Sequence, residues 1–212
     1  MKEIKRVSPV VFKAAPLKIE KRGNWDVVTE YREEGDGPFL VDLSHKPRFD
    51  LQDSKIGQRT PFGLTLPQNP GESVFENKIL ANRMNNTQVS LYCLDTADMV
   101  EMPDEQGMTD VTEASLFIAL IGPDVFSICE KLSSLDFMDR SKKTPFLYQG
   151  PFSHVPCQIV TLGRDPENSA IVLTCSRGYG RDMIHAILDA GAEFSLAPAG
   201  EKRFADFINT LS

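Results

Sequence analysis

The 212-residue chain has no run of 18 apolar residues, so it offers no segment able to cross a bilayer as a helix. Its N-terminus carries charges but lacks the apolar stretch of a secretory signal. Cysteine is sparse. Cys93, Cys129, Cys157 and Cys175 are far apart and sit in apolar settings, which excludes a close-spaced metal or redox motif and reads as free thiols in a reducing compartment. His45, His154 and His185 are the only histidines, and none has a His, Cys or acid at metal-ligand spacing. Positive charge is also short: 23 Lys and Arg face 30 Asp and Glu, giving a net charge of −7. That balance argues against general nucleic-acid binding, which needs a cationic face to displace counterions. The expectation is a cytoplasmic protein that binds neither membrane nor nucleic acid. No complete catalytic motif is present.

What is there is an ordinary globular composition, 41% hydrophobic and 25% charged, at a length that supports a sizeable core without staples. Charge is uneven. Residues 1–22 hold seven Lys and Arg and two Glu, a net of +5, so the remainder carries −12. This basic N-terminal arm reads either as a solvated, partly disordered tail or as a segment that docks on an acidic partner. Residues 23–212 read as one domain.

Ser115 to Ile121 is an uncharged run that suits a strand covered on both sides. Gly122, Pro123 and Asp124 then predict a turn into a helix over 124–135, with Val125, Ile128, Cys129 and Leu132 on one face. Alternation predicts a strand over 25–31, short strands at 39–43 and 48–51, and a hairpin of 78–83 with 87–94 around Asn85-Asn86. Val89, Leu91 and Cys93 share one face of that second run, and Ser90 and Tyr92 the other. Residues 53–64 are ambiguous, and 95–110 read as a surface connection. Strands are expected at 156–162, 170–175 and 193–196. Helices are expected at 181–190, capped by Gly191, and at 201–211.

Frequent hairpins without strict strand–helix alternation predict an α+β fold with an antiparallel sheet and helices on its face. The chain also repeats itself: Asp42-Leu43-Ser44 and Asp110-Val111-Thr112 each precede a strand, a turn with an Asp and a helical segment. The internal halves span about 38–100 and 110–200.

Val41-Asp42-Leu43-Ser44-His45 resembles the Asp-Leu-Ser-His signature of glycine-cleavage T-proteins, the folate-dependent aminomethyltransferases. Ile121-Gly122-Pro123-Asp124 resembles the second matching unit of their folate-binding domain. The gamma subunit of heterotetrameric sarcosine oxidase, a short single-domain member, is more similar still. It shares the Pro-Arg-Phe step seen as Pro47-Arg48-Phe49, and an ending like Ser176-Arg177 and Ala190-Gly191. The resemblance implies a duplicated antiparallel-sheet folate-binding domain of the T-protein type without the C-terminal β-barrel. It also implies protein partner subunits and tetrahydrofolate as ligand. Where the family places a carboxylate for amine chemistry, this chain reads Leu80-Ala81-Asn82-Arg83-Met84-Asn85-Asn86, and asparagine can neither carry a proton nor supply a negative charge. The leading expectation is a non-catalytic subunit of a hetero-oligomer in folate, one-carbon or amine metabolism. The alternative is a tetrahydrofolate-dependent aminomethyltransferase-like enzyme whose carboxylate comes from Asp42 or Asp50.

Arg177-Gly178-Tyr179-Gly180-Arg181 lies between a strand and a helix, where backbone amides and guanidinium groups can meet an anion such as a folate glutamate tail. Arg177 and Tyr179 are therefore candidate ligand residues. Asn82, Arg83 and Tyr92 join them as residues of the ligand face that the resemblance implies. Ser44 beside His45 is no nucleophile pair, since neighbours on a strand point to opposite faces.

Overall fold

The computed structural model describes residues 4–94 and 100–211, and every structural statement below refers to those residues. The alternating run at Trp25 forms β2 (Trp25–Tyr31), which pairs antiparallel with β1 (Pro16–Arg22) as a separate hairpin. Next come β3 (Phe39–Asp42), β4 (Arg48–Gln52), β5 (Ser73–Glu76), β6 (Ile79–Asn85) and β7 (Gln88–Cys93). The second half supplies β8 (Met108–Asp110), β9 (Ser115–Ile121), β10 (Phe146–Phe152), β11 (Val155–Gly163) and β12 (Ala170–Ser176). Helix α1 (Val125–Glu130) follows β9. Helix α2 (Gly180–Gly191), β13 (Ala197–Ala199) and α3 (Glu201–Thr210) close the chain.

Two sheets carry the fold. One runs β5-β6-β7-β4-β8 and the other β10-β11-β12-β9-β3-β13, with every pairing antiparallel except β13 with β3. Apart from β13 the two orders correspond strand for strand. Each half builds one sheet from its last four strands and lends its first strand, β3 or β8, to the other half's sheet, where β8 forms the edge and β13 follows β3.

The repeated Asp-apolar-Ser/Thr motif makes this exchange. Asp42 Oδ1 accepts from Ser44 N at 2.9 Å, and Asp110 Oδ1 accepts from Thr112 N at 2.8 Å, the same local turn twice. Leu43 N then donates to Phe117 O and Val111 N to Arg48 O, both at 2.9 Å. Phe117 N donates to Ser44 Oγ at 3.3 Å and Arg48 N to Thr112 Oγ1 at 3.0 Å. Each motif's hydroxyl thus serves the strand that follows the other motif.

The sheets pack face to face through Val41, Tyr92, Phe117, Ala119, Val160 and Val172, and Phe204, Phe207 and Ile208 of α3 extend this layer. The far side of the larger sheet is covered by α1 and α2. The far side of the smaller sheet is covered by Ile56, Leu64 and Leu66 from the segment after β4. Both faces of β7 are consequently buried, as are both faces of β9.

Several expectations are corrected. Residues 16–22 are strand β1, and the rest of the described arm lies on its own chain. Val10 joins the core, and Lys5, Arg6, Lys18 and Arg22 pair with Asp26, Glu113, Glu20 and Glu201. The helix expected over 124–135 starts at Val125, after a left-handed Asp124 with a φ of 59° and no side-chain cap, but stops at Glu130, beyond which Lys131 N and Leu132 N donate three residues back to Ile128 O and Cys129 O. Gly191 does not end α2 in a left-handed cap. It is helical, and a Cβ there would collide with Leu196, so close packing explains the glycine. Residues 192–194 form a 3₁₀ turn and the strand is displaced to 197–199. The ambiguous 53–64 segment is two 3₁₀ turns. Within the expected 95–110 connection, 95–99 lie outside the described residues and 108–110 form β8. Strand β10 was not expected, since Gly150 and Pro151 interrupt it. It lies at a sheet edge, where a missing amide donor is tolerated.

Candidate functional site

A cleft of about 610 Å³ opens between the sheets, within the usual range of small-molecule sites. Arg48, Asp50, Ser90 and Tyr92 line it from the smaller sheet, and Gln149, Gln158 and Thr174 from the larger. The alternation Arg48-Phe49-Asp50-Leu51 explains the placing. Phe49 and Leu51 enter the outer core, so Arg48 and Asp50 face the other way.

Arg48 is 1% exposed. Its guanidinium donates to Lys46 O at 3.2 Å, to Ser115 O at 3.0 Å and to Thr112 O, and it lies 4.9 Å from the centre of the Phe117 ring. Nε has no partner and is buried. Burial pulls the pKa of Arg48 down to about 10, opposed by Tyr92, Asp42 and Asp110, so it stays charged at neutral pH. Asp50 is half-buried, and burial raises its pKa against the pull of a 3.0 Å hydrogen bond from Gln88 Nε2. The Tyr92 hydroxyl donates to Gln158 Oε1 at 2.5 Å and lies 3.4 Å from Thr174 Oγ1. Burial pushes its pKa up, which keeps it a neutral donor.

Of the five expected ligand residues, only Tyr92 lines this cleft. Asn82 is fully buried between strands, its Oδ1 accepting from Ser73 Oγ at 2.7 Å while Nδ2 stays unpartnered. Arg83 is buried and donates to Asn86 O. Arg177 donates to Val7 O of the N-terminal segment, and Tyr179 is 46% exposed. Sequence reasoning missed Arg48 as a site residue. The signal was a charged pair on one face of a strand whose other face is apolar.

A second cluster was also missed. Glu201, at the start of α3, is 2% exposed and accepts from Lys46 Nζ at 2.6 Å, His45 Nε2 at 3.0 Å and Arg22. Burial works against its charge, but the His45 hydrogen bond and the Lys46 charge outweigh it and hold Glu201 at about 2. Burial and Lys46 push His45 below its usual value. This cluster ties the hairpin, the β3–β4 turn and α3 together. Ser44 Oγ is spent on Phe117, so Ser44 and His45 form no nucleophile pair.

No protein-family model and no curated protein sequence matches the chain. Among solved structures, a chain of heterotetrameric sarcosine oxidase from Corynebacterium sp. U-96, solved in complex with pyrrole 2-carboxylate, is similar in shape. The TM-score is 0.63 at 16% identity, over 77% of this chain and 90% of that one. The fold resembles a sarcosine oxidase chain. The sarcosine oxidase chain is the shorter of the two, so the likeness takes in nearly all of it. Among the described residues, no helix is long and apolar enough to cross a membrane.

The cleft lining offers donors and acceptors of the kind a polar ligand uses. Asp50 keeps one carboxylate oxygen beside its bond from Gln88, Gln149 keeps Oε1 as its Nε2 donates to Met84 O, and Gln158 keeps Nε2 as its Oε1 accepts from Tyr92.

Proposed function

We propose that this chain is a non-catalytic subunit of T-protein type, resembling the gamma subunit of sarcosine oxidase, in a hetero-oligomeric enzyme of amine or one-carbon metabolism. The single observation that supports it best is the exchanged two-sheet topology combined with the likeness to a chain of a heterotetrameric oxidase. The strand exchange, with its paired Asp turns, is what a duplicated domain of that type would retain. The cleft offers hydrogen bonds and one fixed cation but a single carboxylate, so it is built to hold a ligand rather than to pass protons between an acid and a base. Asp42, the other carboxylate considered, is occupied by the Ser44 amide.

Affinity capture of the tagged chain from its native source, followed by mass spectrometry, tests the assignment. Stoichiometric recovery of flavin- or amine-oxidising subunits is expected. Recovery of the chain as a monomer alone at native expression refutes it.

A second reading rests on Asp50, which stands in the cleft with a raised pKa as a folate-dependent aminomethyltransferase would need. Calorimetric titration with tetrahydrofolate separates the two. Under the enzyme reading the isolated chain binds in the micromolar range and Asp50→Asn weakens binding at least tenfold. Under the subunit reading the isolated chain binds weakly and Asp50→Asn changes it little.

A further inference from the structure

Cys157 and Cys175 stand directly opposite each other on β11 and β12. Antiparallel partners have Cα atoms about 4.5–5.5 Å apart, within the roughly 4.4–6.8 Å that a disulfide spans without backbone movement. Both side chains lie on one face of the sheet, the one that α1 and α2 cover, while the strand positions that carry them border the cleft. Cys93 and Cys129 differ: Cys93 pairs with Ile79 across its ladder and Cys129 lies in α1, so neither faces another cysteine.

We propose that Cys157 and Cys175 are a redox-active dithiol, which hydrogen peroxide converts to a disulfide between the two strands. The Cys175 thiolate attacks one oxygen of hydrogen peroxide. An S–O bond forms, the O–O bond breaks, and the departing hydroxide takes up the proton released by the thiol to leave as water. The Cys157 sulfur then attacks the sulfenic sulfur. The S–S bond forms, the S–O bond breaks, and a second water leaves with the Cys157 proton. The thiols lose two electrons and the peroxide gains two.

The order of attack has its own support. Hydrogen bonding between the two thiols lowers the pKa of Cys175, whereas that contact together with burial raises that of Cys157. Cys175 is therefore the nucleophile and Cys157 the resolving thiol. For comparison, burial pushes Cys93 up to about 12 against the opposing charge of Lys46.

The bridge has a route into the cleft. The residues adjoining the two cysteines, Gln158 and Thr174, are also cross-strand partners, and both meet the Tyr92 hydroxyl. Closing the disulfide fixes the strand spacing at this step, so thiol state is felt at the Tyr92 hydrogen bonds.

The test treats the full chain under native conditions with hydrogen peroxide, then counts thiols in denaturant and digests with trypsin without reductant. Cleavage at Lys143, Arg164 and Arg177 puts the two cysteines on separate peptides. The thiol count is expected to fall from four to two, with peptide 144–164 linked to 165–177 and the link reversed by dithiothreitol. Cys157→Ser should stop at a sulfenic acid on Cys175, trapped by dimedone, and Cys175→Ser should leave Cys157 unmodified. Four thiols remaining under peroxide, oxidation to sulfinic acid without a link, or a link through Cys93 or Cys129 would each overturn the proposal. The wild-type digest decides even where a variant fails to fold.

Discussion

Replacing Glu201 by glutamine keeps the shape of the side chain and removes its charge. In the folded protein the carboxylate is held at about 2, against an ordinary 4.5. At ~1.36 kcal/mol for each tenfold change in proton affinity, that difference amounts to about 3 kcal/mol of stability at neutral pH. The folded-state value lies below the unfolded one. The contribution is therefore complete above about 4.5 and is lost as pH falls toward 2. His45 acts in the same direction. Its pKa is also depressed on folding, so protonation below its ordinary 6.5 favours the unfolded chain. From the cationic side, removing one partner of a buried pair costs about 3–5 kcal/mol. The two figures describe one interaction and do not add. Glu201→Gln is expected to lose about 3–5 kcal/mol at pH 7, a large share of the ~5–15 kcal/mol that holds a typical domain together. Urea denaturation at pH 7 and at pH 3 measures this. The gap between variant and wild type should narrow at the lower pH, because at pH 3 the unfolded wild-type carboxylate is protonated while the folded one still holds its charge. A loss under about 1 kcal/mol at pH 7, or a gap that does not change with pH, refutes the reasoning.

Ser44→Ala and Thr112→Val each strip the hydroxyl from one of the two matching turns and strand a buried amide, of Phe117 or Arg48. Similar losses of about 1–3 kcal/mol are expected in chemical denaturation, and a negligible cost at either position argues against equivalent roles. Gly200→Ala places a methyl group inside contact distance of the Thr29 carbonyl, where α3 meets β2. Overpacking of about 1–3 kcal/mol should lower the melting temperature by several degrees, and an unchanged melt contradicts the close approach. Tyr92→Phe deprives Gln158 of its donor at a cost of about 1–3 kcal/mol, readable in the same denaturation curves, and a variant as stable as wild type would show that the hydroxyl is not engaged.

The fold was legible where the pattern is local and uninterrupted. β7 and β9 announce themselves through alternation or an unbroken apolar run, and α2 and α3 through their apolar stripes, because each of these segments buries enough surface to constrain its own sequence. Short edge strands bury little. β8 has one buried residue of three, and β10 has a Gly-Pro step in its middle that only an edge tolerates. Asn82 and Arg83, expected as ligand residues, do not line the cleft. Adjacent on β6, they point to opposite faces: Asn82 lies under the second sheet and is spent on Ser73, and Arg83 is buried on the other side and donates to Asn86 O.

The cleft was harder to foresee because neither half contains it. Arg48 belongs to the first half, yet two of its three carbonyl partners, Thr112 and Ser115, come from the second. A buried guanidinium persists only with such partners to offset its lost hydration. The exchange of β3 and β8 brings those carbonyls to it, since β8 runs beside β4 and leads into β9. The repeat was visible in sequence as two short motifs. Its consequence was not, because a swap of strands leaves no trace in local periodicity. The same swap that closes each sheet also fixes the one cation of the cleft. Loosening either Asp turn should therefore disturb Arg48 as well as the exchanged strand.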